Sequence, residues 1–424
     1  MSDGRVGALN ESQRPLVLLG ATTWWPLSAR VAMALLRHGC RVSAVCPPGH
    51  PLRFVTGIEA LYPYRALDSL GALRAAILAS QPNLIVPADD GVVWQLHELH
   101  ARHPELRSII EQSLGPAETY PNIRSREALL HTAVELGIRV PETRIVSSES
   151  DLDRWPASAP GVLKLDGTWG GSGVAIVRSR AEAGVAYRRL SRPIGAGVVW
   201  KRWLVNHDPL AWWSQRKKDK SSVSIQQFIP GRPANAMIAC WKGELLGIVS
   251  VEVLRAQGAT GAATVVRLIQ NEDIRKAACL LAGKLHLNGF HGLDFMMEEG
   301  SGLPYLIELN PRCTQLGHLR LPAQEDLAAM IVTKLTRAKQ ENQPAPMHPS
   351  ELEDLVRGDT IAFFPQTLTW NPKSPYLRNA YHDVPWEEPA LFRELLRGSW
   401  PERQFLSRIY HHFREAKRSS EEKF

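Results

Sequence analysis

Along the first part of the chain, short unbroken apolar runs alternate with longer stretches in which apolar residues recur every three or four positions. "PLVLLG" (15–20), "RVSAVC" (41–46) and "NLIVPADD" (83–90) have the first pattern and read as buried parallel strands. "SARVAMALLRHG", "SLGALRAAILASQ" and "GVVWQLHELHARH" have the second and read as helices, with Gly39 placed to stop the first of them. Alternation of strand and helix predicts a doubly wound parallel-sheet domain of the α/β class. Such a sheet receives ligands at the carboxyl ends of its strands, which directs attention to "GATTWWP" and "ADDG". Asp89 and Asp90 stand where a substrate amine can be held, or equally as ordinary helix-start carboxylates. Trp24 and Trp25 read as an apolar roof over the sheet.

The pattern then changes. "SREALLHTAVELGIRVPETRIV" (125–146) is an amphipathic helix, a stop at Gly137 and a Val-Pro entry into a strand. Short strands around a glycine-rich loop follow over 145–230. Longer ones come next, "NAMIACW", "ELLGIVSVEVL" and "ATVVRLI", then the helix "EDIRKAACLLAGKLHL" and a hairpin over 292–312. This second region is α+β. "QENQPAPMHPSE" reads as a linker, and the remainder is rich in proline and tryptophan before a charged tail. Three parts are expected: 1–115, 116–340 with a smaller lobe over about 141–228, and a C-terminal extension, 341–424, to which the residues assign no chemistry.

A chain of 424 residues exceeds one core, and hydrophobic and charged shares of 44% and 22% suit a globular protein. The net charge of +7 is spread along the chain, and its densest run, "RKKDK" (216–220), is short. A solvated surface or attraction for a small polyanion fits better than a nucleic-acid groove. Cys40, Cys46, Cys240, Cys279 and Cys313 form no CxxC pair, which points to buried thiols in a reducing compartment. The mixed charges of the N-terminus make a poor signal peptide, and Pro15–Ala29 is too short to span a bilayer. The four tryptophans within 198–220 read as core aromatics, since Asp208-Pro209 breaks any membrane-surface helix. A cytoplasmic protein without nucleic-acid or membrane partners is expected.

Three segments carry chemistry. In "GLDFMMEEGSGLPYLIELNPR" (292–312), Asp294 lies on one face of the first strand, opposite Leu293 and Phe295. After a Gly-Ser-Gly turn the second strand returns with Glu308 and Asn310 on one face and Ile307 and Leu309 on the other. In register, the three oxygen-bearing side chains converge as a hard-cation site of the kind magnesium prefers. An alternating solvated strand face would look the same. "VLKLDGTWGGSGVAIV" (162–177) delivers Lys164 from an apolar strand into a loop containing Gly167, Gly170, Gly171, Ser172 and Gly173. Such a loop lets backbone N–H groups surround phosphate oxygens, with the lysine adding a point charge, unless it is a plain glycine hairpin. It lacks the order of a P-loop, and "GATTWWP" lacks the glycines of a dinucleotide fingerprint. "SVSIQQFIPGR" (222–232) ends a strand before a Pro-Gly turn, where backbone groups suit the edge of an adenine.

In this order and spacing the segments resemble an ATP-grasp domain, as in D-alanine–D-alanine ligase, biotin carboxylase and carbamoyl-phosphate synthetase, over roughly residues 115–335. The resemblance implies a two-lobed ATP-grasp domain behind a pre-ATP-grasp α/β domain. It implies that Lys164 binds ATP phosphates under a lid at Gly170, Gly171, Ser172 and Gly173. It implies an adenine hinge at Gln226, Gln227, Phe228 and Ile229. Asp294, Glu308 and Asn310 would hold two magnesium ions, with manganese as a substitute, and Arg312 would stabilise an acyl-phosphate or its tetrahedral successor. There are departures. Arg126 stands where the family has a phosphate-binding lysine, Gln226 replaces the hinge glutamate, and no ribose-binding glutamate follows near Pro233.

The reading that follows is an ATP- and magnesium-dependent ligase. It activates a small carboxylate as an acyl-phosphate, transfers it to an amine or thiol, and releases ADP and phosphate. A homodimer is compatible with this reading. Arg126 and Gln226 also prompt an alternative, an ATP-binding regulatory protein whose catalysis has decayed. An oxidoreductase built on the first domain stands third, for want of GxGxxG. Cys313 reads as a packing residue, and the histidines, His291 and His318 among them, show no zinc spacing.

Overall fold

The computed structural model describes residues 14–156, 159–166, 173–192, 222–258, 261–321, 326–339 and 358–398. Its first sheet is built from β1 (Leu16–Gly20), β2 (Arg41–Cys46), β3 (Ile58–Pro63) and β4 (Leu84–Pro87), all parallel, in the order β3-β2-β1-β4. β1 and β4 are buried along their whole length because helices cover both faces, which explains their unbroken apolar runs. Helix α1 (Leu27–Arg37) packs on one face, and α2 (Ser69–Ser80), α3 (Asp90–Arg102) and α4 (Arg107–Leu114) on the other. Gly39 follows α1 at φ +81°, a left-handed stop for which glycine carries no steric cost. Strand order reverses between β1 and β4, so a crevice opens at their carboxyl ends.

Helices α5 (Tyr120–Arg124) and α6 (Arg126–Glu135) lead away from this sheet. Ser125 caps α6 by accepting a hydrogen bond from the Ala128 N–H, which fixes Arg126 at the first helical position. A small antiparallel sheet follows, made of β5 (Thr143–Val146), β6 (Gly161–Leu165), β7 (Val174–Val177) and β8 (Val223–Gln227) in the order β5-β8-β6-β7. With α7 (Arg180–Leu190) it encloses a core of its own around Leu163, Ile225 and Trp155.

The largest sheet comprises β9 (Gly231–Trp241), β10 (Glu244–Ala256), β11 (Ala263–Ile269), β12 (Gly289–Glu298), β13 (Pro304–Asn310), β14 (Thr360–Ala362) and β15 (Tyr381–His382). Its order is β13-β12-β9-β10-β11-β14-β15. One face packs on α6 and on α8 (Glu272–Lys284). The other shares a continuous core with α1, with the first sheet and with α9 (Leu327–Lys339). The extension thus joins the fold through two strands. Asp383 accepts from the Phe364 N–H with Oδ1 (2.6 Å), its Oδ2 meets His318 Nε2 (3.0 Å), and its carbonyl accepts from Arg30 Nε of α1 (2.7 Å). Among the described residues no helix is long and apolar enough to cross a membrane.

Candidate functional site

The hairpin β12–β13 pairs antiparallel, with Asp294 opposite Glu308 and Gly292 opposite Asn310. Strict alternation predicts Ile307 in the core beside Leu309. The structure instead holds a bulge: pairing steps from Glu308 to Leu306, leaving Ile307 unpaired, and Leu306 and Leu309 are the buried pair. The extra residue leaves Glu308 and Asn310 on the face of Asp294. Asn310 Nδ2 donates to Asp294 Oδ2 (3.1 Å), and Asn235 of β9, in register with Asp294, donates to its Oδ1 (2.6 Å). Burial raises the pKa of both Asp294 and Glu308, and the nearby charge of Asp294 adds to the rise at Glu308. Two half-buried acids on one face, the first steadied by neutral amides, form a strong local demand for a cation.

Opposite this face stands the small sheet. Lys164 on β6 is buried, and its Nζ donates to Gln226 Oε1 (2.7 Å) on the neighbouring strand β8. The Gln226 amide in turn donates to Thr143 Oγ1 (3.1 Å). Burial, and then Arg126 nearby, lower the Lys164 pKa to about 8, against the opposing pull of Glu308, Asp294 and Asp166. Arg126 reaches Asp166 Oδ1 (2.6 Å) and lies 3.6 Å from Glu308, while its buried Nε has no hydrogen-bond partner among the described residues. Asp166 also accepts from Ser222 Oγ (2.8 Å).

The third side comes from the crevice of the first sheet. Asp89 is fully committed: Oδ2 accepts from the N–H groups of Thr22 (2.6 Å) and Thr23 (3.1 Å). Its Oδ1 accepts from Val92 N–H (3.0 Å) and Thr22 Oγ1 (2.9 Å). It is a helix cap and loop clamp, which is the structural of its two expected roles. Asp90 instead reaches across the cleft and accepts from Arg312 Nε with Oδ1 (2.9 Å). Arg312 also donates from its second terminal nitrogen to Asn310 Oδ1 (3.3 Å). Burial opposes its charge, but Asp90, Asp294 and Asp89 outweigh burial and hold the guanidinium firmly protonated.

Lys164, Arg126, Asp294, Glu308, Asn310 and Arg312 therefore meet around one cleft. Gln226 is in it as a lysine anchor, with its side chain turned away from the hinge backbone. Gln227 and Phe228 spend their N–H groups on Glu142 and Pro160, whereas the Ile229 N–H makes no hydrogen bond among the described residues. Gly173 closes the entry to β7; Gly170, Gly171 and Ser172 lie outside the described residues, as do the tryptophans of 198–220. Cys313 is buried and its thiol is pushed up to about 12, so it packs and does not react. Asn235, Asp166 and Thr143 are site residues that sequence reading missed. Asn235 had a signal, a lone carboxamide within the apolar β9; Asp166 and Thr143 had none beyond their polarity.

This arrangement of two sheets about a cleft, with acids and an amide on the last hairpin, agrees with an independent match: residues 211–315 fit a family model described as an ATP-grasp domain. The chain carries an ATP-grasp domain. No curated protein matches it in sequence. Solved structures share the ATP-grasp architecture at low identity. N5-carboxyaminoimidazole synthase from Aspergillus clavatus, solved with ADP and 5-aminoimidazole ribonucleotide, is 15% identical with a TM-score of 0.55, covering 79% of this chain and 78% of its own. L-amino acid ligase from Bacillus licheniformis is 13% identical with a TM-score of 0.51, covering 77% and 74%. The biotin carboxylase domain dimer of 2-oxoglutarate carboxylase from Hydrogenobacter thermophilus was solved with MgADP, ADP and bicarbonate. It is 13% identical with a TM-score of 0.53, covering 80% and 72%.

Magnesium fits the ATP-grasp cleft in donor chemistry. Asp294, Glu308 and Asn310 offer hard oxygens, and burial raises the pKa of both acids, a cost that a bound cation would offset. Among the described residues there is no group of three or more His, Cys, Asp or Glu side chains able to cage a metal. Nucleotide phosphates would have to complete the coordination, as magnesium ordinarily requires.

Proposed function

We propose that this protein is an ATP- and magnesium-dependent ligase that activates a small carboxylate as an acyl-phosphate and passes it to an amine or thiol, releasing ADP and phosphate. The observation that carries this is the facing of two charged walls, Lys164 and Arg126 against Asp294 and Glu308, with Arg312 at their open edge. Magnesium, held by Asp294, Glu308 and Asn310, would supply Lewis-acid neutralisation of phosphate charge. Lys164 and the unpartnered Arg126 Nε hold phosphate oxygens on the other side. A carboxylate oxygen of the substrate attacks the terminal phosphorus, the bond to the leaving oxygen breaks, and ADP departs. Transfer of this kind depends on positioning and charge neutralisation, and no protein nucleophile is needed. Arg312, held from two directions, then faces the oxyanion that develops when the acceptor attacks the acyl carbon. The Ile229 N–H, which makes no hydrogen bond among the described residues, would receive an adenine nitrogen.

The test is purified protein with Mg-ATP, pooled amino, hydroxy and keto acids with bicarbonate, and pooled amines and thiols, followed for ADP and phosphate. Substrate-stimulated ADP release, lost in Glu308→Ala, supports the ligase. Tight ATP binding without turnover transfers support to the regulatory reading, which the Arg126 contact to Glu308 would then explain as a plug on the metal face.

A further inference from the structure

Two adjacent acids open α3, and only the first has both of its oxygens engaged. Asp89 supplies the helix cap by accepting from the Val92 N–H, and accepts four hydrogen bonds from Thr22 and Thr23 of the β1–α1 loop. Asp90 makes one contact, Oδ1 to Arg312 Nε at 2.9 Å, and its Oδ2 has no partner among the described residues. Its side chain is 38% exposed, against 21% for Arg312, so the carboxylate faces open cleft beyond the arginine. It is close enough to Glu308 to raise that residue's pKa, which places it within the same electrostatic site. Unlike Asp294 and Glu308, it does not belong to the metal-facing strands. The cleft thus contains, beside the oxyanion-facing arginine, an acid with one oxygen committed to that arginine and the other uncommitted among the described residues.

We propose that Asp90 receives the acceptor, and that the acceptor is an amine and not a thiol. This rests on the ligase reading above. An incoming ammonium is attracted by Oδ2, whereas a thiolate, the reactive form of a thiol, would meet the unneutralised edge of Asp90 and the nearby Glu308. With the acyl-phosphate formed, the held ammonium first gives one proton to solvent water; the neutral amine nitrogen then attacks the acyl carbon and an N–C bond forms. The C–O bond to phosphate breaks, and phosphate leaves with the electron pair. The proton released by the nitrogen, which is strongly acidic once bonded to the tetrahedral carbon, passes to Asp90 Oδ2. Arg312, touching the same carboxylate through Oδ1, would hold acceptor and oxyanion in a fixed mutual geometry.

The experiment separates the two half-reactions with an acid that supports ADP release by the unaltered protein. Hydroxylamine, uncharged near neutrality, traps the acyl-phosphate as a hydroxamate without needing an ammonium site. Asp90→Asn is expected to keep hydroxamate formation within about threefold and to lower kcat/KM for the amine about a hundredfold. The KM for ATP is expected to stay unchanged. Arg312→Ala and Asp90→Ala are run alongside, with melting temperature as the check on folding. The proposal is overturned if Asp90→Asn loses hydroxamate in step with Arg312→Ala, for then Asp90 only holds the arginine. It is equally overturned if thiols serve as acceptors and amines do not. Absence of ADP release from every pool with the unaltered protein removes the ligase reading itself, a failure visible before any variant is made.

Discussion

On the small-sheet side of the cleft, a buried lysine is held by a glutamine; on the large-sheet side, a half-buried aspartate is held by two asparagines. The two walls carry opposite charge and share one device. A neutral amide fixes the geometry of an ion without cancelling its charge, whereas a counter-ion would do both. What remains uncancelled is positive on one wall and negative on the other, and a polyphosphate with its cation is the ligand that satisfies both. Arg126 departs from the device, being paired with Asp166. It is also the residue that crosses toward the opposite wall.

The most severe break in this comparison is loss of the negative wall's exposed acid. Glu308→Gln keeps shape and removes charge, and turnover is expected to fall about a hundred- to thousandfold by analogy with loss of a group that stabilises transition-state charge. Because burial already disfavours the ionised side chain, the melting temperature should stay level or rise. A parallel fall in both would mean that Glu308 serves the fold and not the reaction.

Next is the positive wall. Lys164→Met leaves an apolar stem in the same buried slot and removes one charged hydrogen-bond donor. ATP affinity measured by calorimetry should drop about ten- to hundredfold, the range for a charge-assisted bond. An unchanged affinity would show that Lys164 faces Gln226 alone and not the nucleotide.

A change of pH probes the same wall without mutation. Lys164 loses its proton near 8, so it is charged below that value and neutral above it. Affinity for ATP should therefore weaken about tenfold between about pH 7 and pH 9, since each unit above the pKa removes tenfold of the charged form. Gln226→Glu places a counter-ion on the lysine, raises its pKa, and should carry that weakening out of the window. A profile that stays flat in the unaltered protein would disconnect the lysine from phosphate.

Which parts of this were readable beforehand follows from the range of the interactions. The parallel sheet was legible because strands covered on both faces must be apolar throughout, as β1 and β4 are. Asp294, Glu308 and Asn310 were legible because strand alternation is local. The bulge at Ile307 was not, since it depends on where β13 meets β12, and the alternation that located Glu308 misplaced its neighbour. The ties that complete the cleft join distant segments: Asp166 to Arg126, Asn235 to Asp294, Asp90 to Arg312. No spacing encodes them. The same holds for the C-terminal extension, whose strand β14 joins β11 through backbone pairing that leaves little trace in side-chain pattern.

The smallest expected effect is the sharpest test of the shared device. Asn235→Ala removes one amide from Asp294 and leaves Asn310 in place. A hydrogen bond to a carboxylate contributes about 1.5 kcal/mol net at the low end, and with Asn310 still bonded the loss is about tenfold or less in an equilibrium constant. The magnesium concentration needed for half-maximal turnover should rise by about that factor, because a carboxylate that swings must be ordered when the cation binds. Asn235→Asp is the discriminating companion. It keeps the size of the side chain and adds a third acid, so if the amide's neutrality is what matters, magnesium dependence shifts in the opposite sense while substrate turnover at saturating magnesium falls. If both variants weaken magnesium equally, Asn235 acts through its hydrogen-bonding shape alone, and the symmetry between the two walls is one of geometry and not of charge.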